Sequence, residues 1–114
     1  MESSSKIKQY VIALYHVFQM VHRKAEYQKN HRLKIISMCI YNYTKFLAQE
    51  NDIVLQNIGQ LEQVNLTPIF EYINERNVEL YDFSTIKMED LDVSSSKDLE
   101  RFVLTHIYYL TQTR

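Results

Sequence analysis

Apolar residues recur at helical spacing over the first half of the chain. They follow one another at steps of three and four from about residue 4 to residue 29, and again from about residue 31 to residue 50. This spacing places apolar side chains on one face of an α-helix. We therefore predict two long helices, packed antiparallel through a short basic turn near Asn30, with residues 1–4 as a flexible tail. The second helix is apolar nearly all round, so we expect it to be the central one.

The segment after the second helix carries weaker signals. Asn51 and Asp52 offer a cap for a third, shorter helix, and Gly59 either interrupts that helix or ends it. Further along, residues 78–83 alternate between apolar and polar side chains as a short strand does, but no second convincing strand is present to pair with them. Strand and helix both stay open for residues 78–83.

Clearer start signals mark two more helices. Thr67 can cap a fourth helix with Pro68 at its first position, and this helix is expected to end at Arg76. Ser95 lies three residues before Asp98, which is the spacing of a capping box. A last helix is therefore expected to run from the serines to the C-terminus.

Composition supports an all-α fold. Only one Gly and one Pro occur among 114 residues, whereas sheet proteins need both residue types at their turns. Apolar residues make up 46%, an ordinary globular value, and the length suits one domain. We predict a single helical domain over residues 1–114, an irregular bundle of about five helices.

Two observations bear on location. Cys39 is the only cysteine, which excludes intrachain disulfides and is typical of a reducing compartment. The longest apolar runs, residues 11–15 and 38–41, are far shorter than the roughly 20 residues that cross a bilayer. We therefore expect an intracellular protein, cytoplasmic or nuclear, with no membrane partner.

The charge is divided along the chain. Residues 1–47 carry eight Lys and Arg against two Glu, a net charge of +6, and residues 48–114 carry five basic against twelve acidic side chains, a net charge of −7. Five basic residues surround the first turn and are called the basic patch here: Arg23, Lys24, Lys29, Arg32 and Lys34. The patch could contact nucleic-acid phosphates with Tyr27 as a stacking aromatic, although so few charges give weak, salt-sensitive binding. The alternative is that these residues solvate the turn and complement a helix C-terminus.

The sequence contains no convincing catalytic, metal-binding or cofactor-binding motif. Residues 90–98 place oxygen side chains as a calcium loop does, but Ser95 stands where that loop needs Gly and Arg101 where it needs Glu. The four histidines show no His-x-x-x-His spacing. His106 and His16 are the candidates for a general base, and each is interpreted as a structural histidine within a helix. We predict no enzyme, no metal and no cofactor.

The remaining signal is surplus hydrophobicity. Five apolar side chains fall outside the main apolar face of their helices and are predicted to form a partner interface: Ile12, Met20, Tyr41, Leu104 and Tyr108. Tyr and Met are enriched at interfaces because they offer large or adaptable contact area. The alternative is that a compact bundle encloses some of them, Ile12 in particular, together with Met38.

These features predict a non-catalytic protein–protein interaction module, or a small subunit of a larger assembly, whose partner is another protein chain or a second copy of itself. The alternative is a helix-turn-helix or winged-helix domain associated with nucleic acid or chromatin. Against it, the candidate recognition helix at residues 68–76 carries Glu71 and Glu75 with one arginine, which is the wrong charge for phosphates.

Overall fold

The protein is all-helical, as the composition predicts. The computed structural model describes residues 2–58, 64–85, 87 and 93–112. Four α-helices and one 3₁₀ turn occur in these ranges, and no strand does: α1 (Glu2–Gln28), α2 (His31–Glu50), the 3₁₀ turn (Leu55–Asn57), α3 (Thr67–Glu75) and α4 (Ser96–Gln112). Helix α1 begins inside the stretch predicted as a flexible tail.

Helices α1 and α2 form the predicted antiparallel pair. Lys29 and Asn30 connect them, and the Asn30 Oδ1 atom caps α2 by accepting the Leu33 N–H at 3.1 Å. Midway along the pair, the hydroxyls of Tyr10 and Tyr43 lie 2.9 Å apart in the core. Helix α3 packs on α1, and α4 packs on α2.

Three helices end in the same Schellman motif. The backbone N–H two residues past each end cap donates to a carbonyl five residues back: Asn30 to Ala25, Ile53 to Ala48, and Val78 to Ile73, at 2.9–3.0 Å. The residue before each donor has a positive φ of 50–55°: Lys29, Asp52 and Asn77. Glycine usually fills this left-handed position. Here a lysine, an aspartate and an asparagine do so.

The predicted third helix does not start at Asn51. This residue instead ends α2, because its backbone N–H donates to the carbonyls of Leu47 and Ala48, and its Nδ2 donates to Leu47 O at 2.8 Å. Asp52 has the left-handed backbone described above, which no α-helix continues. Only the 3₁₀ turn follows, and Gly59 lies outside the described residues. Asn and Asp favour both ends of helices, so the sequence signal was assigned to the wrong end.

Helix α3 starts one residue earlier than predicted. Leu66 occupies the cap position, Thr67 is already helical, and Asn65 Oδ1 accepts the Thr67 N–H at 3.1 Å. Pro68 lies in the first turn, where its missing N–H is not needed. The predicted end is confirmed, since Arg76 caps the C-terminus.

The predicted Ser95 cap of the last helix is confirmed, with the Asp98 carboxylate bonded to the Ser95 hydroxyl where a capping box uses the Ser95 backbone N–H. Ser95 Oγ accepts the Asp98 N–H at 3.1 Å and donates to the Asp98 carboxylate at 2.8 Å. The Ser95 carbonyl also accepts the Leu99 N–H at 2.9 Å. These bonds fix the start of α4, since they satisfy donors that a helix leaves unpaired in its first turn.

Residues 78–83 form neither a strand nor a helix. They are a coil laid across α4, called the 78–83 coil below. The Tyr81 N–H donates to Thr105 Oγ1 at 3.0 Å, and Arg101 Nε donates to the Glu79 carbonyl at 2.7 Å. Side chains of α4 thus supply the backbone partners that a neighbouring strand would have supplied.

Aromatic contacts hold the same coil on α4. The Phe83 ring lies 4.7 Å from the His106 ring and 5.5 Å from the Tyr109 ring, measured between centroids. The Arg101 guanidinium lies 4.0 Å from the centre of the Tyr81 ring. Helix α4 is therefore covered on two sides, by the core and by the coil.

The core is built from the inward faces of all four helices. Its fully enclosed apolar side chains are Tyr10, Val11, Leu14, Val17, Ile40, Ile69, Val103, Leu104 and Ile107. Helix α1 supplies four of these and α2 only one. The expectation that α2 is the central helix is therefore wrong, and α1 is the more enclosed of the two.

Candidate functional site

The structure corrects one predicted interface residue. Leu104 is 0% exposed and belongs to the core, so it cannot contact a partner. Val103 and Ile107, its neighbours on α4, are fully enclosed as well. The 78–83 coil covers His106 through Phe83. The buried surface of α4 is therefore wider than one stripe, and it includes Leu104.

The other four predicted interface residues differ in exposure. Met20 is 42% exposed and Tyr108 is 37% exposed, so both are accessible. Ile12 and Tyr41 are half-buried. The four side chains are spread over three helices, so they do not form the compact patch that an interface core requires.

A more continuous apolar surface lies on α2. Ile35 is 50% exposed, Met38 46% and Phe46 42%, and Asn42, which lies between them on the helix surface, is also exposed. We call these four residues the α2 outer face. Their spacing places them in one row along a helix. The sequence pattern predicted α2 to be the central helix because it is apolar nearly all round, and it offered enclosure of Met38 by a compact bundle; the exposure of Ile35, Met38 and Phe46 contradicts both.

One edge of the α2 outer face continues into an aromatic cluster. Tyr41 lies one turn from Met38 on α2 and its ring is 5.0 Å from that of Phe18 on α1. The Phe18 ring in turn lies 5.8 Å from Tyr15 and 5.5 Å from His22. These half-buried rings extend the apolar surface from α2 onto α1.

All five residues of the basic patch are exposed, as is Tyr27, which is 90% exposed. In the described part of the chain, Lys6 Nζ and Glu75 Oε1 form the one ion pair that joins the basic half to the acidic half, at 3.1 Å. Both side chains of that pair are largely exposed, so it adds little stability.

A polar cleft lies where α3 ends and α4 begins. It has a volume of about 810 Å³ and is lined by Tyr72, Arg76, Lys97, Glu100 and Arg101, among others. A second groove of about 510 Å³ lies between α1 and α3 and shares Tyr72 and Arg76 with the cleft. Cations and carboxylates alternate around both openings, so neither has a dominant charge.

The tyrosines below this cleft form a rigid cluster. The Tyr72 ring stacks on Tyr10 at 3.9 Å with the planes only 4° apart, and the Arg76 guanidinium lies 4.7 Å from the Tyr72 ring centre. Burial, with the adjoining Glu100 carboxylate, raises the pKa of Tyr72 to about 12. Burial also raises the pKa of Tyr10 and of Tyr43. These hydroxyls therefore stay protonated at neutral pH and are poor bases.

The histidines and the cysteine lie in packed surroundings. His106 is buried between the rings of Phe83 and Phe102, and its Nε2 has no hydrogen-bond partner within the described residues. Burial, together with the positive charge of Arg32, lowers its pKa to about 4. Burial raises the pKa of the Cys39 thiol, the opposite of what a nucleophilic cysteine needs. His16 is also buried.

Two further observations concern metals and membranes. Within the described residues, no group of three or more His, Cys, Asp and Glu side chains could hold a metal ion, and Asp90 and Asp92 of the calcium-like run lie outside those residues. In the same part of the chain, no helix combines the length and the apolar character needed to span a bilayer.

In comparisons with known proteins, no family model matches the chain, and no curated protein or solved structure is significantly similar to it.

Proposed function

We propose that this protein is a non-catalytic protein–protein interaction module, acting as a small subunit of a larger assembly or associating with itself. The α2 outer face is the observation that carries the proposal. Single exposed apolar residues are common on soluble proteins. Three large ones in one row of a helix, at 42–50% exposure, form an apolar strip of the kind that partner chains cover.

The environment of the strip supports an interface. Ser37 and Thr44, on the inward side of α2, donate to backbone carbonyls of the same helix at 2.7 and 2.6 Å. Both residues are also fully buried, so this side of α2 is packed into the core and the outer face lies on a helix that is held in place. A rigid apolar face loses little conformational entropy when a partner covers it.

A helix-turn-helix role in nucleic-acid binding has less support. The candidate recognition helix, α3, exposes Glu71 and Glu75, which would repel phosphates. Glu75 is also the residue that pairs with Lys6. The basic patch offers a different phosphate-contacting surface, so the test below includes an oligonucleotide.

The test isolates the tagged chain from the cells that make it and measures particle mass by size exclusion with light scattering. We expect a mass above 13.7 kDa, the mass of one chain. The double variant Ile35→Ser/Met38→Ser should return the particle to the mass of one chain. Val54→Ser, which removes an exposed apolar side chain elsewhere, is the matched control and should leave the particle intact.

Two results would contradict the proposal. One is a single-chain mass for the unaltered protein, both from cells and when concentrated. The other is a heavier particle that persists in the double variant but dissociates on adding single-stranded oligonucleotide, which would favour the nucleic-acid alternative.

A further inference from the structure

We infer that the α2 outer face binds an amphipathic helix with acidic flanks, supplied by a different protein chain. This inference rests on the proposed function and adds the chemical class of the partner. It combines the geometry of the exposed row, the charge beside that row, and the consequences of pairing the row with itself.

The geometry fits a helix. Ile35, Met38 and Asn42 follow at steps of three and four, the spacing of a helix–helix seam, and Phe46 continues the row one turn later. The row from Ile35 to Phe46 spans twelve residues, and the eleven steps between its ends cover about 16 Å of helix axis. That length matches about three turns of a partner helix laid along α2. Asn42 at the middle of the seam calls for a polar side chain opposite it.

The charge beside the row selects an acidic partner. Helix α2 carries Arg32, Lys34 and Lys45 against Glu50 alone, a net charge of +2. Lys34 and Lys45 flank one side of the row, and both are exposed. Among the described residues, neither of these two ammonium groups is in an ion pair. Carboxylates on a partner helix would compensate these charges and speed association.

Pairing of the row with a second copy is disfavoured by charge. In a two-fold symmetric contact, if one residue of the first copy meets a second residue of the other copy, the reverse contact is made as well. An antiparallel contact of two α2 helices sets Lys34 of each copy against Lys45 of the other. A parallel contact sets the two basic patches side by side at one end. Both arrangements place like charges together, which costs affinity.

Two other polyanions fit the surface less well. A nucleic acid would engage the basic patch but leave the apolar row uncovered, because phosphates offer nothing to Ile35 and Met38. An anionic membrane would cover the row, but it would bury Asn42 in lipid without a hydrogen-bond partner. A partner helix satisfies the apolar, polar and charged positions together.

The test uses the full chain and two designed helical peptides. Both peptides carry leucines at alternating steps of three and four with one central asparagine. One has glutamate and the other lysine at the flanking positions. Fluorescence anisotropy at several salt concentrations gives the two dissociation constants. We expect the glutamate peptide to bind at least about tenfold more tightly, with a preference that shrinks as salt rises.

Variants locate the binding site. Met38→Ser and Phe46→Ser should each weaken binding of the glutamate peptide by about tenfold, and Val54→Ser should not. The double charge reversal Lys34→Glu/Lys45→Glu should reverse the order of the two peptides, whereas Lys8→Glu, an exposed lysine on α1, should leave the order unchanged. Circular dichroism of each variant checks that the helices persist.

The inference is overturned if the two peptides bind equally, or if Met38→Ser leaves binding of the glutamate peptide unchanged. The inference would also be overturned if the chain bound oligo-dT or vesicles rich in anionic lipid but did not bind the glutamate peptide. If the peptide experiment fails but the particle isolated from cells still dissociates in the Ile35→Ser/Met38→Ser variant, the proposed interaction function stands and only the partner class is wrong. If the peptide experiment fails and the particle has the mass of one chain, the proposed function is wrong as well.

Discussion

In α4 six consecutive residues, 102–107, are buried, whereas in α2 no more than two consecutive residues are. Both helices are amphipathic, and both carry apolar side chains beyond their main stripe. They differ in what lies on their outer sides. The 78–83 coil crosses α4 and encloses His106, while the α2 outer face has no such cover among the described residues.

This difference shows how a surplus of apolar residues should be interpreted. Helical periodicity identifies the side chains that leave the main stripe, but it does not show whether an irregular segment covers them. In α4 the core encloses Leu104, and a coil without periodicity of its own encloses His106. In α2 the same type of surplus stays accessible. Four predictions test this contrast, from the largest expected effect to the smallest.

The largest effect should come from Leu104→Ala. Leu104 is fully enclosed, so truncating it leaves a cavity and should lower the free energy of unfolding by about 3 kcal/mol. Urea denaturation followed by circular dichroism measures the change. A loss below about 0.5 kcal/mol would mean that Leu104 is not in the core and that α4 is exposed as α2 is.

The second prediction concerns acid sensitivity. Free histidine takes up a proton near pH 6.5, but His106 in the folded chain does so only near pH 4. Between these pH values His106 takes up a proton when the chain unfolds, which favours the unfolded state. The free energy of unfolding should therefore include a contribution from His106, on the order of 2–3 kcal/mol, that is fully present above pH 6.5 and is lost as the pH falls to 4. Unfolding curves at several pH values should show this loss.

Two variants assign that acid sensitivity. His106→Leu should remove this part of the pH dependence, since it leaves no group to protonate under the 78–83 coil. His31→Leu, which replaces an exposed histidine on α2, should retain it. Equal pH profiles for the two variants would contradict the enclosure of His106.

The third prediction probes the coil itself. Thr105→Val keeps the side-chain shape but removes the oxygen that accepts the Tyr81 N–H, so it should cost about 1–2 kcal/mol. Hydrogen exchange followed by NMR should show faster exchange of the Tyr81 amide. Unchanged exchange would mean that the coil does not depend on α4 for its backbone hydrogen bonds.

The smallest effect is expected on α2. Met38→Ser changes a side chain that already faces water, so the free energy of unfolding should stay within about 0.5 kcal/mol of the unaltered value. The same denaturation measurement as for Leu104→Ala gives a direct comparison. A loss of 2 kcal/mol or more, as expected for burial, would place Met38 in the core and remove the basis of the proposed interface.

The sequence predicts local features of the fold well. The boundary between α1 and α2, the Ser95 cap and the end of α3 depend on neighbouring residues, and all three are confirmed. The prediction that a helix starts at Asn51 failed because the same side chain can cap either end of a helix.

The candidate site could be predicted only in part. The pattern identified Met20 and Tyr108 as lying outside their helix stripes, and both are exposed. It missed Ile35 and Phe46 because their burial depends on which side of α2 the rest of the chain packs against. It misplaced Leu104 because the width of the buried surface of α4 depends on how the rest of the chain packs against this helix, which no local pattern encodes.

The Schellman ends of three helices leave room for engineering. Each places an L-residue with a side chain at a left-handed position: Lys29, Asp52 and Asn77. Replacing Lys29 or Asp52 with glycine would relieve on the order of 1 kcal/mol of backbone strain, partly offset by the greater freedom of an unfolded glycine. Glycine at these helix ends would thus make the molecule more heat-tolerant, while its packed interior and the α2 outer face keep every atom they have now.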